Sequence, residues 1–264
     1  MVSSYTAYLA ADRNYVKTLK AMSASGPVQR DLEYFVENIG KVSTGDQLVD
    51  DPKLYRFVMT AFDLESQIFA KGLIRKIFKE GIQDPLSLAN RMTDNKFKTM
   101  AKAFAFAEVG DYNVNKPEFV TAIVKKYLEV KIEAKAGEEN VAVRLGLYFD
   151  RAAPNVSNWY AVLADRALRE VVRVGLGLPQ AMNSAGPDQL VKILEDRYDI
   201  ADFKDAEKRD KLIKKFTLLY DLENGVSGPD MGRVALFNPI NPSGGRGQII
   251  TIDPSTLGAI TRFS

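Results

Sequence analysis

Apolar positions recur along most of this chain at the three- and four-residue spacing of a buried helix face. Tyr5, Tyr8, Leu9, Tyr15, Val16, Leu19 and Met22 form one stripe, interrupted only by Asp12, and Gly26-Pro27 ends it. Val28, Leu32, Phe35, Val36 and Ile39 form a second stripe that stops at Gly40. Asp51-Pro52 has the form of an N-cap followed by proline in the first helical position, where the missing N–H costs nothing. The face behind it is Leu54, Phe57, Val58, Ala61 and Phe62. Asp84-Pro85 repeats the device ahead of Leu88, Ala89 and Met92, and a further stripe runs through Phe97, Met100, Ala101, Phe104 and Ala105. No strand-like alternation of useful length precedes residue 225. The pattern predicts an all-α fold whose stripes are core.

An internal repeat organises these helices. At an offset of 114 residues Tyr34-Phe35 falls on Tyr148-Phe149, Val42-Ser43 on Val156-Ser157, Asp51 on Asp165, Leu54 on Leu168 and Leu64 on Leu178. Asp165 opens a second face of Leu168, Val171, Val172, Gly175 and Leu176. At an offset of 102, Leu88-Ala89 and Met92 meet Leu190-Val191 and Leu194; at 112, Phe104 meets Phe216. The first copy therefore carries an extra segment, IFAKGLIRKIFK, that the second lacks. Two copies are too few for a solenoid. The expectation is two related helical lobes with approximate twofold symmetry, residues 1–110 and 111–224, followed by an irregular Gly/Pro-rich arm, 225–264.

The arm holds only five charges in 40 residues, and its glycines and prolines forbid continuous helix. It keeps Phe237, Ile249, Ile250, Ile252, Leu257, Ile260 and Phe263, whereas disordered tails are poor in such residues. Packing over the protein's own helices is one expectation. Docking on a partner subunit is the sharper one, and it makes those seven side chains the candidate partner-binding residues.

Composition narrows the chemistry. Lys+Arg 36 against Asp+Glu 34 leaves a net charge of +2, so no global field attracts nucleic acid or acidic membranes. The absence of Cys removes disulfides, thiol nucleophiles and Cys-ligated metal, and the absence of His removes the commonest general base and most zinc sites. The opening residues lack a basic leader and an uninterrupted apolar stretch, which predicts cytoplasmic synthesis without a cleaved signal. No apolar run approaches membrane-spanning length.

The remaining candidates read as structure. Asp111-Tyr-Asn113-Val-Asn115 begins like a calcium loop, but Lys116 replaces the turn glycine and Ala122 the bidentate Glu; an interlobe turn is expected. Ser243 to Gly247 lacks the helix and Lys-Ser/Thr pair of a phosphate loop. Lys71, Arg75, Lys76 and Lys79 form a basic run beside Glu65, Glu80 and Asp84, expected as a solvated face or a docking element of one lobe. Asp50-Asp51 and Glu195-Asp196 are the densest carboxylates, with Asp51 assigned to capping. Trp159-Tyr160, after a Ser157 cap, reads as an aromatic wedge. The sequence predicts no catalytic residue, cofactor or metal site.

Residues 28–106 resemble an alphaproteobacterial family, domain of unknown function family 1217. The resemblance rests on Gln29-Arg30-Asp31, Tyr34-Phe35, Ile39-Gly40, Leu48-Val49-x-Asp51, Ala61-Phe62-x-Leu64, Ile74-Arg75-Lys76, Asp84-Pro85, Leu88-Ala89-Asn90 and Lys102-Ala103-Phe104. Its members are often encoded among flagellar genes and carry no assigned activity. The resemblance implies a non-enzymatic structural or assembly protein associated with the flagellum, exported or retained in the cytoplasm. Its partners would be flagellar components or a second copy joined through the arm, with no nucleic acid and no membrane insertion. The alternative is a cytoplasmic helical export chaperone or regulator of flagellar components.

Overall fold

The computed structural model describes residues 2–224, and among them every regular element is helical. The seven candidate partner-binding residues of the arm, and Ser243 to Gly247, lie outside the described residues.

The N-terminal stripe is two helices rather than one. α1 (Ser4–Arg13) and α2 (Tyr15–Ser23) meet at Asn14, whose φ/ψ of −94°/7° leaves the helical region. Its side-chain amide donates to the Ala10 carbonyl at 2.8 Å, the local competition by which Asn interrupts a helix. The break sends Tyr8 into one core and Leu19 and Met22 against another. α3 (Gly26–Asn38) follows, then α4 (Gly45–Asp50), α5 (Pro52–Ala61), α6 (Lys71–Glu80), α7 (Leu88–Arg91), α8 (Asn95–Phe104) and α9 (Phe106–Val109). The second half comprises α10 (Pro117–Glu139), α11 (Val141–Ala152), α12 (Trp159–Ala164), α13 (Arg166–Gly175), α14 (Pro187–Glu195) and α15 (Ala206–Glu223).

Two sequence expectations change. Asp84 caps no helix: its Oδ1 accepts the Leu86 N–H at 2.8 Å in a local turn, and α7 begins only after Ser87. Leu86 is exposed, so the chain has no apolar face to bury until Leu88. Ser157 likewise yields to Asn158, whose Oδ1 accepts the Ala161 N–H at 2.9 Å and caps α12.

The 114-residue offset recurs in the geometry. α4 and α5 match α12 and α13 in bounds, residue for residue. Thr44 and Asn158 cap the first members; Asp51 and Asp165 cap the second, each with one carboxylate oxygen on two backbone N–H groups. The other oxygen takes a tyrosine hydroxyl from the preceding long helix: Tyr34 donates to Asp51 at 2.7 Å, and Tyr148 donates to Asp165. Both helices end in a left-handed residue, Asp63 at φ 58° and Gly177 at φ 67°. The next N–H, of Leu64 or Leu178, returns to the carbonyl of Met59 or Arg173 at 2.8 Å, closing a Schellman turn.

The helices close around two cores, and their division departs from the expected boundary at 110/111, since Ile123 and Tyr127 of α10 join the first core and Tyr8 of α1 the second. Phe35, Leu48, Leu54, Phe57, Met100, Phe104 and Tyr127 belong to the first, and Phe149, Trp159, Val162, Val171, Phe203, Ile213 and Phe216 to the second. The extra segment explains one difference between them. A Cβ built on Gly45 would stand 2.3 Å from the Cβ of Phe78 on α6, so only glycine lets α6 lie against α4. The position 114 residues on is Trp159, buried and edge-on to Phe203 at 5.6 Å. The cores also interlace. α1 precedes the first core yet packs on α11 and α15, where buried Asp221 accepts the Ser4 N–H at 2.8 Å and its hydroxyl.

Replacing Asp165 by Ala removes a cap worth about 1 kcal/mol and strands a largely buried tyrosine hydroxyl at about 1–3 kcal/mol. Asp165→Ala is therefore expected to lower unfolding free energy by about 3 kcal/mol, and Asp51→Ala, whose tyrosine reaches water, by about 1 kcal/mol. Urea titrations of both variants check this; equal losses would mean that burial of the latch is immaterial.

Candidate functional site: the joint and the basic concavity

The two cores meet where α11 packs against α10, the helix that gives Tyr127 to the first core and Ala136 to the second. Arg151 lies there with its Nε 2.6 Å and one terminal nitrogen 3.0 Å from the two oxygens of Glu133 on α10, and it reaches Asp63, at the end of α5, at 3.2 Å. Lys96, in the first turn of α8, crosses to Asp165 at 3.1 Å. The Tyr148 ring has Arg151 at 5.2 Å and Lys96 at 5.3 Å from its centroid. First-core elements thus deliver Asp63 and Lys96 onto the second core's latch.

The ionisation of these groups follows from their surroundings. Burial pushes the Glu133 carboxyl up, against the pull of Arg151 beside it. Burial also opposes the charge of Arg151, but Glu133 and then Asp63 outweigh it and hold the guanidinium ionised. Burial pushes Asp165 up, yet Lys96, the Tyr148 hydroxyl and the Leu168 N–H together keep it below the usual carboxylate range. A 310 Å³ cleft opens beside the joint. The acidic groups of the joint are committed to structure: both oxygens of Glu133 serve Arg151, and both oxygens of Asp165 serve the cap, the tyrosine and the lysine.

A second concavity, of 460 Å³, lies on the first copy beside Tyr34. Its floor is a stack in which Phe57 lies between Phe35 and Tyr127, with centroids 4.3 and 4.0 Å away and planes within 11°. Arg30 of α3, Lys53 and Arg56 of α5 and Lys131 of α10 rim it. Lys53 stands over the Tyr34 ring at 4.6 Å and Lys131 over the Tyr127 ring at 5.2 Å. The carboxylate that lines it, Asp31, accepts the Tyr127 hydroxyl at 2.6 Å, and Asp51 next to Pro52 accepts that of Tyr34.

The residues singled out in the sequence divide cleanly. Arg75 of the basic run pairs with Asp46 and Asp50 on α4 at 3.1 and 2.6 Å and so ties α6 to α4, while Lys76 pairs with Glu80 within α6 itself. Asn113 and Asn115 donate their amides to carbonyls at Ala103 and Asp111, closing the turn between α9 and α10; Val114, Ile123 and Tyr127 beyond it belong to the first core, so the turn does not separate the two cores. Trp159 is a buried wedge; Tyr160 is exposed and donates to Asp188 at 2.8 Å. Glu195 and Asp196 line an open groove of 720 Å³. The basic concavity was missed because its cations lie far apart in sequence. The repeat held a clue: Lys53 and Arg56 align with Ala167 and Glu170.

Arg151→Met is expected to cost about 3 kcal/mol, since it leaves a buried carboxylate unpaired. The sign with pH follows from Glu133. A carboxyl pushed up by burial favours the folded state while protonated, and that advantage is lost as pH rises through its folded-state value. Removing Arg151 enlarges the effect, so urea midpoints should show a greater deficit at alkaline than at mildly acidic pH. A pH-independent deficit would remove Glu133 from the explanation.

Among the described residues, no helix is long and apolar enough to cross a membrane. No curated protein matches the chain. A crystal structure of a protein from Agrobacterium tumefaciens, a structural genomics target, is similar with a TM-score of 0.78 at 33% identity, over 85% of this chain and 97% of that one. The family model described as "Protein of unknown function (DUF1217)" matches residues 61–208. Overlapping the stretch that carried the resemblance and extending through the joint into α15, that match establishes that the chain belongs to the DUF1217 family.

Proposed function

We propose that the protein is a non-enzymatic structural or assembly component that acts through protein–protein contacts at the flagellum. The observation that carries the contact part is the disposition of its charges. The buried ionic groups of the joint are matched within the molecule, whereas the four cations of the concavity make no ion pair or hydrogen bond with another described residue. The flagellar part comes from the family resemblance, whose members are often encoded among flagellar genes. Recurrence of caps, latches and helix bounds at one offset supports two related lobes arising by duplication. The arm, with Phe237, Ile249, Ile250, Ile252, Leu257, Ile260 and Phe263, is the proposed second contact element.

One observation favours the alternative of a cytoplasmic export chaperone or regulator. Phe69 and Leu86 are 94% and 74% exposed and flank α6, in and after the segment that only the first copy holds. Apolar surface there would suit a helical client.

Fractionating a tagged copy among cytoplasm, medium and purified flagella, in parallel with a strain whose flagellar export is disabled, separates the two. The structural reading predicts export-dependent appearance outside the cell. Strict cytoplasmic retention would contradict an exported component and favour the chaperone.

A further inference from the structure

We infer that the concavity rimmed by Arg30, Lys53, Arg56 and Lys131 is a docking site for an acidic polypeptide segment of a partner protein. The inference deepens the contact-based reading above and rests on it.

Four features point to this occupant. The cations come from three helices, α3, α5 and α10, and converge on one 460 Å³ hollow, so no single solvated helix face produces the cluster. No side chain among them makes an ion pair or hydrogen bond with another described residue, and the four cations outnumber the one carboxylate that lines the hollow, Asp31, whose Oδ2 accepts the Tyr127 hydroxyl. The fold does not require the two on α5: at the related positions of α13, Lys53 is replaced by Ala167 and Arg56 by Glu170, whereas Arg30 falls on Arg144, and Glu170 pairs with Arg173 at 2.8 Å. Arg30 and Arg56 present planar donor forks suited to carboxylates.

The same geometry disfavours nucleic acid. Binding a strand without sequence preference uses free aromatic faces on which bases stack. Here Phe57 is covered on both faces by Phe35 and Tyr127, while lysines stand over Tyr34 and Tyr127. The net charge of +2 supplies no long-range field for a polyanion. What the site offers is a short, local array of cations, which fits a short segment carrying carboxylates.

The test measures fluorescence anisotropy of the full-length protein with a labelled short peptide of alternating Glu and Phe, a Lys/Phe peptide as the control, and an oligonucleotide of equal charge as a rival probe. Lys53→Ala with Arg56→Glu gives α5 the residues that its counterpart tolerates, so the variant is expected to fold. Lys17→Ala with Lys20→Glu on exposed α2 changes net charge equally and serves as the second variant. The expected result is binding of the Glu/Phe peptide alone, weakened about tenfold or more by the α5 substitutions, unaffected by the α2 pair, and reduced by salt. Failure of that peptide to bind, equal loss in both variants, or tighter binding of the oligonucleotide would overturn the proposal. Cellular fractionation can fail while the peptide still binds, so the two readings fall separately.

Discussion

A single aspartate that caps one helix and holds a tyrosine from another is the constraint on which this architecture turns. Each copy contains it, with one carboxylate oxygen closing the first turn of a core helix and the other fixing a long helix packed beside it. The cap satisfies N–H groups that no helix can satisfy internally, and the tyrosine sets the relative position of two elements. In the second copy the same oxygen also receives Lys96 from α8, so the local latch becomes the place where the two cores are joined. Arg151, bound to Glu133 and Asp63, reinforces the joint from the other side.

Related latches have unlike surroundings, and that difference shapes the surface. Tyr148 and Asp165 are enclosed by residues of the first copy, whereas Tyr34 and Asp51 face solvent beside a basic hollow. The extra segment adds to the asymmetry, since α6 fills the space that Gly45 leaves open and ties itself to α4 through Arg75. A repeat that began alike would thus be specialised, one copy buried at its latch and the other presenting it.

Much of the fold was legible in the sequence for identifiable reasons. Asp51 and Asp165 announced their helices because capping is local chemistry, and the apolar faces behind them had the spacing of a buried stripe. The 114-residue offset exposed the latch partners, Tyr34 and Tyr148, before their contacts were known. Other features depended on packing. Asn14 divides a stripe that reads as continuous, and the two halves serve different cores. Asp84-Pro85 looks like Asp51-Pro52 but precedes an exposed Leu86, so no core holds a helix there. Of the concavity's four cations, only Arg30 falls within a motif that the sequence displays. Its other cations belong to helices whose approach no local pattern encodes.

The central claim is that Lys96 and Asp165 couple the two halves of the molecule. A double-mutant cycle of Lys96→Met and Asp165→Asn, read by urea unfolding at neutral pH, tests it most directly. Coupling through this contact predicts an interaction energy of about 1–2 kcal/mol between the substitutions, within the range seen for residues in one polar network. Strictly additive losses would contradict it and leave each latch a purely local device.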